Sequence, residues 1–152
     1  MHSVLIVGAG PVGMLLAAEL ARHGVEASVV ESRTMASSGT RAVGLHATAL
    51  SALEASGATE ELLAGAHLVR SGVALCRGRL LGTVRFDRLR SRHPYVATLP
   101  QQATEATLSA TARRWGAAEI RRGVTARRVR ADASEGAVTV DLAGPDGPAT
   151  ER

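Results

Sequence analysis

Apolar positions change period several times along the chain. Val4-Leu5-Ile6-Val7 is an unbroken apolar run, the pattern of a short strand buried on both faces. A glycine-rich stretch follows. From about Val12 to His23, apolar residues recur at helical spacing through Val12, Leu16 and Leu20, and Gly24 supplies a stop. Val25, Ala27 and Val29 then alternate as a second strand ending at Glu31. A strand–helix–strand unit of this kind crosses over into a parallel sheet.

The remainder of the chain mixes both periods. Ser37-Ser38-Gly39-Thr40 reads as loop. His46 to Ser56 is helical, with Leu50 and Leu53 on one face and Gly57 as stop. Thr59 is placed to cap a further short helix whose first turn holds Glu60 and Glu61. Val73 to Phe86 has a β pattern with a hairpin turn at Arg77-Gly78. Pro94 to Leu99 is extended. Gln102 to Trp115 predicts a helix with Thr104, Leu108, Ala112 and Trp115 on its inner face, closed by Gly116. Glu119 to Val124 predicts a third parallel strand. Val129 and the alternating Val138, Val140 and Leu142 predict a last hairpin around Ser134-Glu135-Gly136, followed by the turn-rich Gly144 to Pro148.

The glycines between the first strand and the first helix carry specific chemistry. Gly8-Ala9-Gly10-Pro11-Val12-Gly13 is a G-x-G-x-x-G. Gly8 permits a tight turn out of the strand, Gly10 lets a pyrophosphate approach the backbone, and Gly13 lets the helix pack close to the sheet. The free N–H groups and positive dipole end of the helix then face the phosphates. Glu31, at the end of the second strand, is placed to accept hydrogen bonds from ribose hydroxyls and would repel a 2′-phosphate. These features predict an adenine-dinucleotide site, but they do not separate a flavin from a nicotinamide dinucleotide.

Composition narrows the class little further. The chain has 152 residues, 45% of them hydrophobic, enough for a real core. Phe86, Tyr95 and Trp115 are the only aromatics, so the core is built from Val, Leu, Ile and Ala. There is no lysine. The arginines behind the formal charge of +4 are scattered without interleaved aromatics, which argues for a solvated surface and against nucleic-acid binding. Cys76 is the only cysteine, which excludes an internal disulfide and suits a cytoplasmic protein. Without a paired base it reads as a small packed residue. The apolar stretch Val4 to Leu20 lacks a basic n-region, no span reads as a membrane helix, and His2 and His23 read as superficial. His46 and His67 have no metal-ligand spacing to Cys76 or to a carboxylate pair. No residue stands out as a catalytic acid or base.

Beyond the fingerprint, three segments resemble the class A flavin monooxygenases, the p-hydroxybenzoate hydroxylase family, and in particular its branch acting on polyketide aromatics and related antibiotics. They are Arg41-Ala42-Val43-Gly44-Leu45-His46; Phe86-Asp87 through Leu89 with Pro94-Tyr95; and Leu99-Pro100-Gln101 with Thr104, Glu105 and Leu108. The resemblance runs over nearly the whole chain. Ser32 and Ala103 depart from it, since the family often has basic residues there.

The resemblance implies an α/β fold: a Rossmann-like FAD-binding domain with a parallel sheet and added antiparallel hairpins. It implies FAD as cofactor, NADPH or NADH as co-substrate, O₂, and a small aromatic substrate to be hydroxylated. Gly8, Gly10, Pro11, Val12, Gly13, Glu31 and Arg33 would hold the ADP half, with Arg33 stacked on or flanking the adenosine. Arg41 would lie near the pyrophosphate, where its fork matches phosphate oxygens. Gln101 would hydrogen-bond the ribityl chain from a helix N-terminus. The family is far longer, with later Asp-Gly and Gly-Asp segments and a substrate domain. Residues 1–152 are therefore expected to be the N-terminal part of an FAD-binding domain, truncated, inactive alone and prone to associate through exposed edges. The competing expectations are a non-catalytic dinucleotide-binding fragment and the first half of an NAD-dependent dehydrogenase.

Overall fold

The computed structural model describes residues 4–35, 42–117, 119–132, 134 and 136–152. The chain divides into two compact units, Met1–Ser37 with Leu108–Arg152, and Ser38–Thr107.

The first unit opens with β1 (Val4–Val7), α1 (Pro11–Arg22) and β2 (Ala27–Glu31). The expected parallel pairing is present, with Val4 opposite Ala27 and Val7 opposite Val30. Every residue of β2 is buried, as its central place requires. A later strand, β8 as numbered in chain order (Ile120–Arg122), pairs in parallel with β2 and sets Arg122 opposite Glu31, which bears out the third parallel strand. The same unit holds an antiparallel sheet of β9 (Thr125–Asp132), β10 (Ala137–Gly144) and β11 (Gly147–Glu151), with β10 in the middle. Val140 and Leu142 of β10 are buried with Val30 of β2, and Leu5, Val124 and Ala126 pack around them.

The face that α1 buries differs from the one predicted. Met14, Ala17 and Ala18 are buried, whereas Val12 is 82% and Leu16 45% exposed. The helix is apolar almost all round, so spacing alone offers two stripes. The stripe with small residues lets the backbone come closest to the sheet, and it wins. Ala17, one of these small residues, is 1% exposed.

The second unit contains an antiparallel sheet of β3 (Ala42–Leu45), β4 (His67–Val69) and β7 (Val96–Pro100), with β7 central. It also contains the short helices α2 (Ala47–Leu53) and α3 (Ala58–Ala64) and the hairpin β5 (Ser71–Cys76) and β6 (Arg79–Arg85). Arg77 (φ 48°) and Gly78 (φ 75°) are both left-handed, the geometry a tight two-residue hairpin demands. The hairpin leaves Val73, Leu75, Leu80, Leu81 and Val84 exposed. Cys76 is exposed too, not packed as expected, because it sits at the solvated hairpin tip.

Two further expectations are corrected. Thr59 does not cap α3: Gly57 holds the N-cap position (φ 82°), and the Thr59 hydroxyl donates to the carbonyl of Leu50 at 2.6 Å, tying α3 to α2. The helix α4 (Gln101–Arg114) buries Thr104, Leu108 and Ala112 as predicted, but it ends before Trp115, which is 41% exposed.

Candidate dinucleotide site

At the carboxyl end of β1 the chain turns sharply. Gly8 has φ +106°, a conformation that L side chains rarely adopt, and its N–H donates to the carbonyl of Val30 at 2.7 Å. The loop is thereby pinned to β2. Gly10 is the N-cap of α1 and carries no side-chain cap. Pro11 occupies the first helical position, where its missing N–H costs nothing and its fixed φ suits the helix. The N–H of Met14 closes the first turn onto Gly10 at 3.0 Å. The N–H groups of Val12 and Gly13 precede it and have no carbonyl within the helix to reach. Val12 acts here through its backbone, since its side chain is exposed.

The glycines have separate reasons. A Cβ on Gly10 would meet nothing within 4 Å, so the space beside it is open. A Cβ on Gly13 would lie 2.0 Å from the carbonyl oxygen of Gly8, so only glycine lets the helix come so near the loop. An uncapped helix start, open space at Gly10 and a backbone-lined turn suit a pyrophosphate. Gly10→Val is therefore expected to fold, since its extended backbone (φ −77°, ψ −178°) suits valine. The same variant is expected to lose FAD binding because its methyl groups fill that space. Circular dichroism paired with flavin titration checks this, and a folded variant that binds FAD normally would refute the phosphate-loop reading.

Glu31 is 6% exposed and its carboxylate is held from several sides. Oε2 accepts the N–H of Ala9 at 2.9 Å. Oε1 accepts the backbone N–H of Arg33 at 2.8 Å and its Nε at 3.1 Å, and Nη2 of Arg33 reaches Oε2 at 3.3 Å. The Ser32 hydroxyl adds a bond to Oε1 at 3.3 Å. The Arg33 side chain foremost, then the backbone N–H groups of Arg33 and Ala9, pull the carboxyl from 4.5 down to about 2 against the opposing effect of burial. Glu31 thus joins the glycine loop to the end of β2. The sequence pattern gave Ala9 no role of its own; its bond to Glu31 depends on the parallel register of β1 and β2.

In the second unit, Gln101 begins α4, as expected of a residue at a helix N-terminus, and its Nε2 donates to Oε1 of Glu105 at 2.7 Å. Arg41 lies outside the described residues. Of the candidate residues, the structure brings together Gly8 to Gly13, Glu31 and Arg33. Among the described residues, the histidine buried in a polar network is not the exposed His46 or His67 but His93, 8% exposed. It lies 2.6 Å from Glu54 and 3.1 Å from the Tyr95 hydroxyl. Glu54 is 39 positions away, so no local spacing signals the pair.

A parallel strand–glycine loop–helix–strand unit whose second strand ends in a buried acid tied to the loop defines an adenine-dinucleotide-binding protein. The family model described as FAD binding domain matches residues 1–149, and the chain belongs to that family. The rifampicin monooxygenase of Streptomyces venezuelae is 40% identical over 143 residues, which cover 94% of this chain and 29% of that protein. A solved anhydrotetracycline hydroxylase from Streptomyces rimosus matches with a TM-score of 0.82 at 36% identity, covering 97% of this chain and 29% of its own. An aklavinone-11 hydroxylase, solved with FAD and aklavinone, matches with a TM-score of 0.76 at 33% identity, covering 100% of this chain and 32% of its own. The chain thus spans about 29% of the length of the first of these relatives. Among the described residues no helix is long and apolar enough to cross a membrane.

Proposed function

We propose that this chain is the ADP-holding part of an FAD-dependent monooxygenase that hydroxylates a polyketide-like aromatic substrate with NAD(P)H and O₂. The observation that carries the reading is the loop from Gly8 to Gly13 locked to Glu31 through Ala9, on a chain whose relatives include hydroxylases of anhydrotetracycline and aklavinone. Bound FAD would supply the redox chemistry, taking reducing equivalents from the nicotinamide and passing them to O₂.

The residues of this chain bind and orient. The N–H groups of Val12 and Gly13, at the positive end of α1, would hold the pyrophosphate beside Gly10. Pro11 fixes the helix start. Glu31 would take the ribose hydroxyls, and Arg33, paired with Glu31 and half-exposed, would flank the adenosine. By the family resemblance, Arg41 would add charge for the phosphates and Gln101 would hydrogen-bond the ribityl chain. The exposed apolar hairpin β5–β6 favours association through its strand edges. The exposed thiol of Cys76 fits a reducing cytoplasm.

Two measurements test this reading. Titration of the chain with FAD is expected to quench flavin fluorescence saturably, with ADP competing. In the protein that carries the chain, an aromatic polyketide is expected to stimulate NAD(P)H oxidation and to gain one oxygen atom from labelled O₂. Binding of NAD without flavin would replace the reading with a dehydrogenase, and flavin binding without oxygen transfer would reduce it to a binding module.

A further inference from the structure

Gln101 is a neutral amide with two donors on nitrogen and an acceptor on oxygen. Which end it offers a ligand decides what it can read. At the start of α4, Gln101 and Glu105 stand one helical turn apart, the spacing at which side chains meet. Nε2 of Gln101 donates to Oε1 of Glu105 at 2.7 Å, and Glu105 is 8% exposed. A carboxylate has no proton to give, so it accepts only from the nitrogen end and repels the amide oxygen. The neighbouring charge therefore removes the two-fold ambiguity of the amide. The nitrogen end is engaged by Glu105, and the oxygen is left as the acceptor for an incoming group.

We propose that Glu105 is a positioning residue that fixes the Gln101 amide as an acceptor, so that Gln101 recognises a hydroxyl donor of a polyol chain. This rests on the reading that Gln101 meets the ribityl chain of FAD. It adds that recognition is directional and that a buried carboxylate, which needs no contact with the cofactor, sets the direction. Ordering of this kind favours binding by removing conformations before the ligand arrives.

The test compares FAD with ADP, which has the same pyrophosphate and adenosine but no ribityl chain. Calorimetric titrations use the full chain, Glu105→Leu, Glu105→Gln and Gln101→Ala. Glu105→Leu is expected to weaken FAD about threefold to tenfold, the loss of one neutral hydrogen bond, while ADP stays within about twofold. Glu105→Gln is expected to restore most of the FAD affinity, because its amide oxygen still accepts from Gln101. Adding Gln101→Ala to Glu105→Leu is expected to cost nothing further. Equal losses for FAD and ADP, or no loss for FAD, would overturn the proposal. If Glu105→Leu fails to fold, Glu105→Ala takes its place: a loss for FAD with ADP unchanged supports the pairing, and an unchanged FAD affinity refutes it. An original chain that binds FAD no better than ADP would instead defeat the ribityl reading itself, and the proposal with it.

Discussion

Replacing Gly13 with alanine is expected to destabilise the first unit by about 3 kcal/mol and to abolish FAD binding. The added Cβ would sit 2.0 Å from the carbonyl oxygen of Gly8 and 3.1 Å from its carbonyl carbon. Both obstacles are backbone, and Gly8 is itself pinned by its N–H to Val30 and by its left-handed φ. Neither partner can yield by a side-chain rotation. Either α1 lifts from the sheet, exposing Met14, Ala17 and Ala18, or the loop opens and the first-turn N–H groups lose their aim. Urea unfolding with the flavin titration reads both effects, and an unchanged midpoint would show that the helix tolerates a wider seat than the geometry allows. Gly10→Val is the contrast: it leaves the fold intact and removes only binding, because the space at Gly10 is open.

The second large effect is expected at Glu31. Glu31→Gln presents an amide nitrogen to donors that need an acceptor. The N–H of Ala9 or the guanidinium and N–H of Arg33 then lose a partner at a side chain that is only 6% exposed. Binding of an adenine dinucleotide is expected to weaken about tenfold or more, each charge-assisted bond being worth about 1.5–3 kcal/mol. Unchanged affinity by calorimetry would overturn the assignment. The same residue sets an acid limb of stability. Its folded-state pKa of about 2 lies below the ordinary 4.5, so its stabilisation is complete above the ordinary value and fades as the pH falls toward 2. The loss amounts to up to roughly 3 kcal/mol, less where solvent screens the half-exposed Arg33. Glu31→Gln should flatten that limb between about pH 5 and pH 2, and a variant with the original acid limb would show that other carboxylates carry it.

Much of this protein is written locally. The apolar run at Val4–Val7, the glycine spacing and the acid at Glu31 are set by nearest-neighbour sterics and period, so β1, α1 and β2 follow within a residue or two. Arg77-Gly78 dictates its own turn, and the helix over Gln101–Arg114 follows from spacing and a terminal glycine. The strands β3, β4 and β11 are different. They are three to five residues long and exist because a partner strand completes their hydrogen bonds, a condition no local window contains.

Side-chain destinations likewise depended on the assembled fold. Val12 and Leu16 are bulky and share one helical stripe, yet Met14, Ala17 and Ala18 on the other are the ones buried, because small side chains let α1 approach the sheet. Residue order alone puts a carboxylate at the end of the second strand. It takes the parallel register, which brings the Ala9 N–H within 2.9 Å, for this carboxylate also to hold the glycine loop in place. Periodicity is a property of neighbours, whereas a hydrogen bond across 22 residues requires the whole crossover to form first.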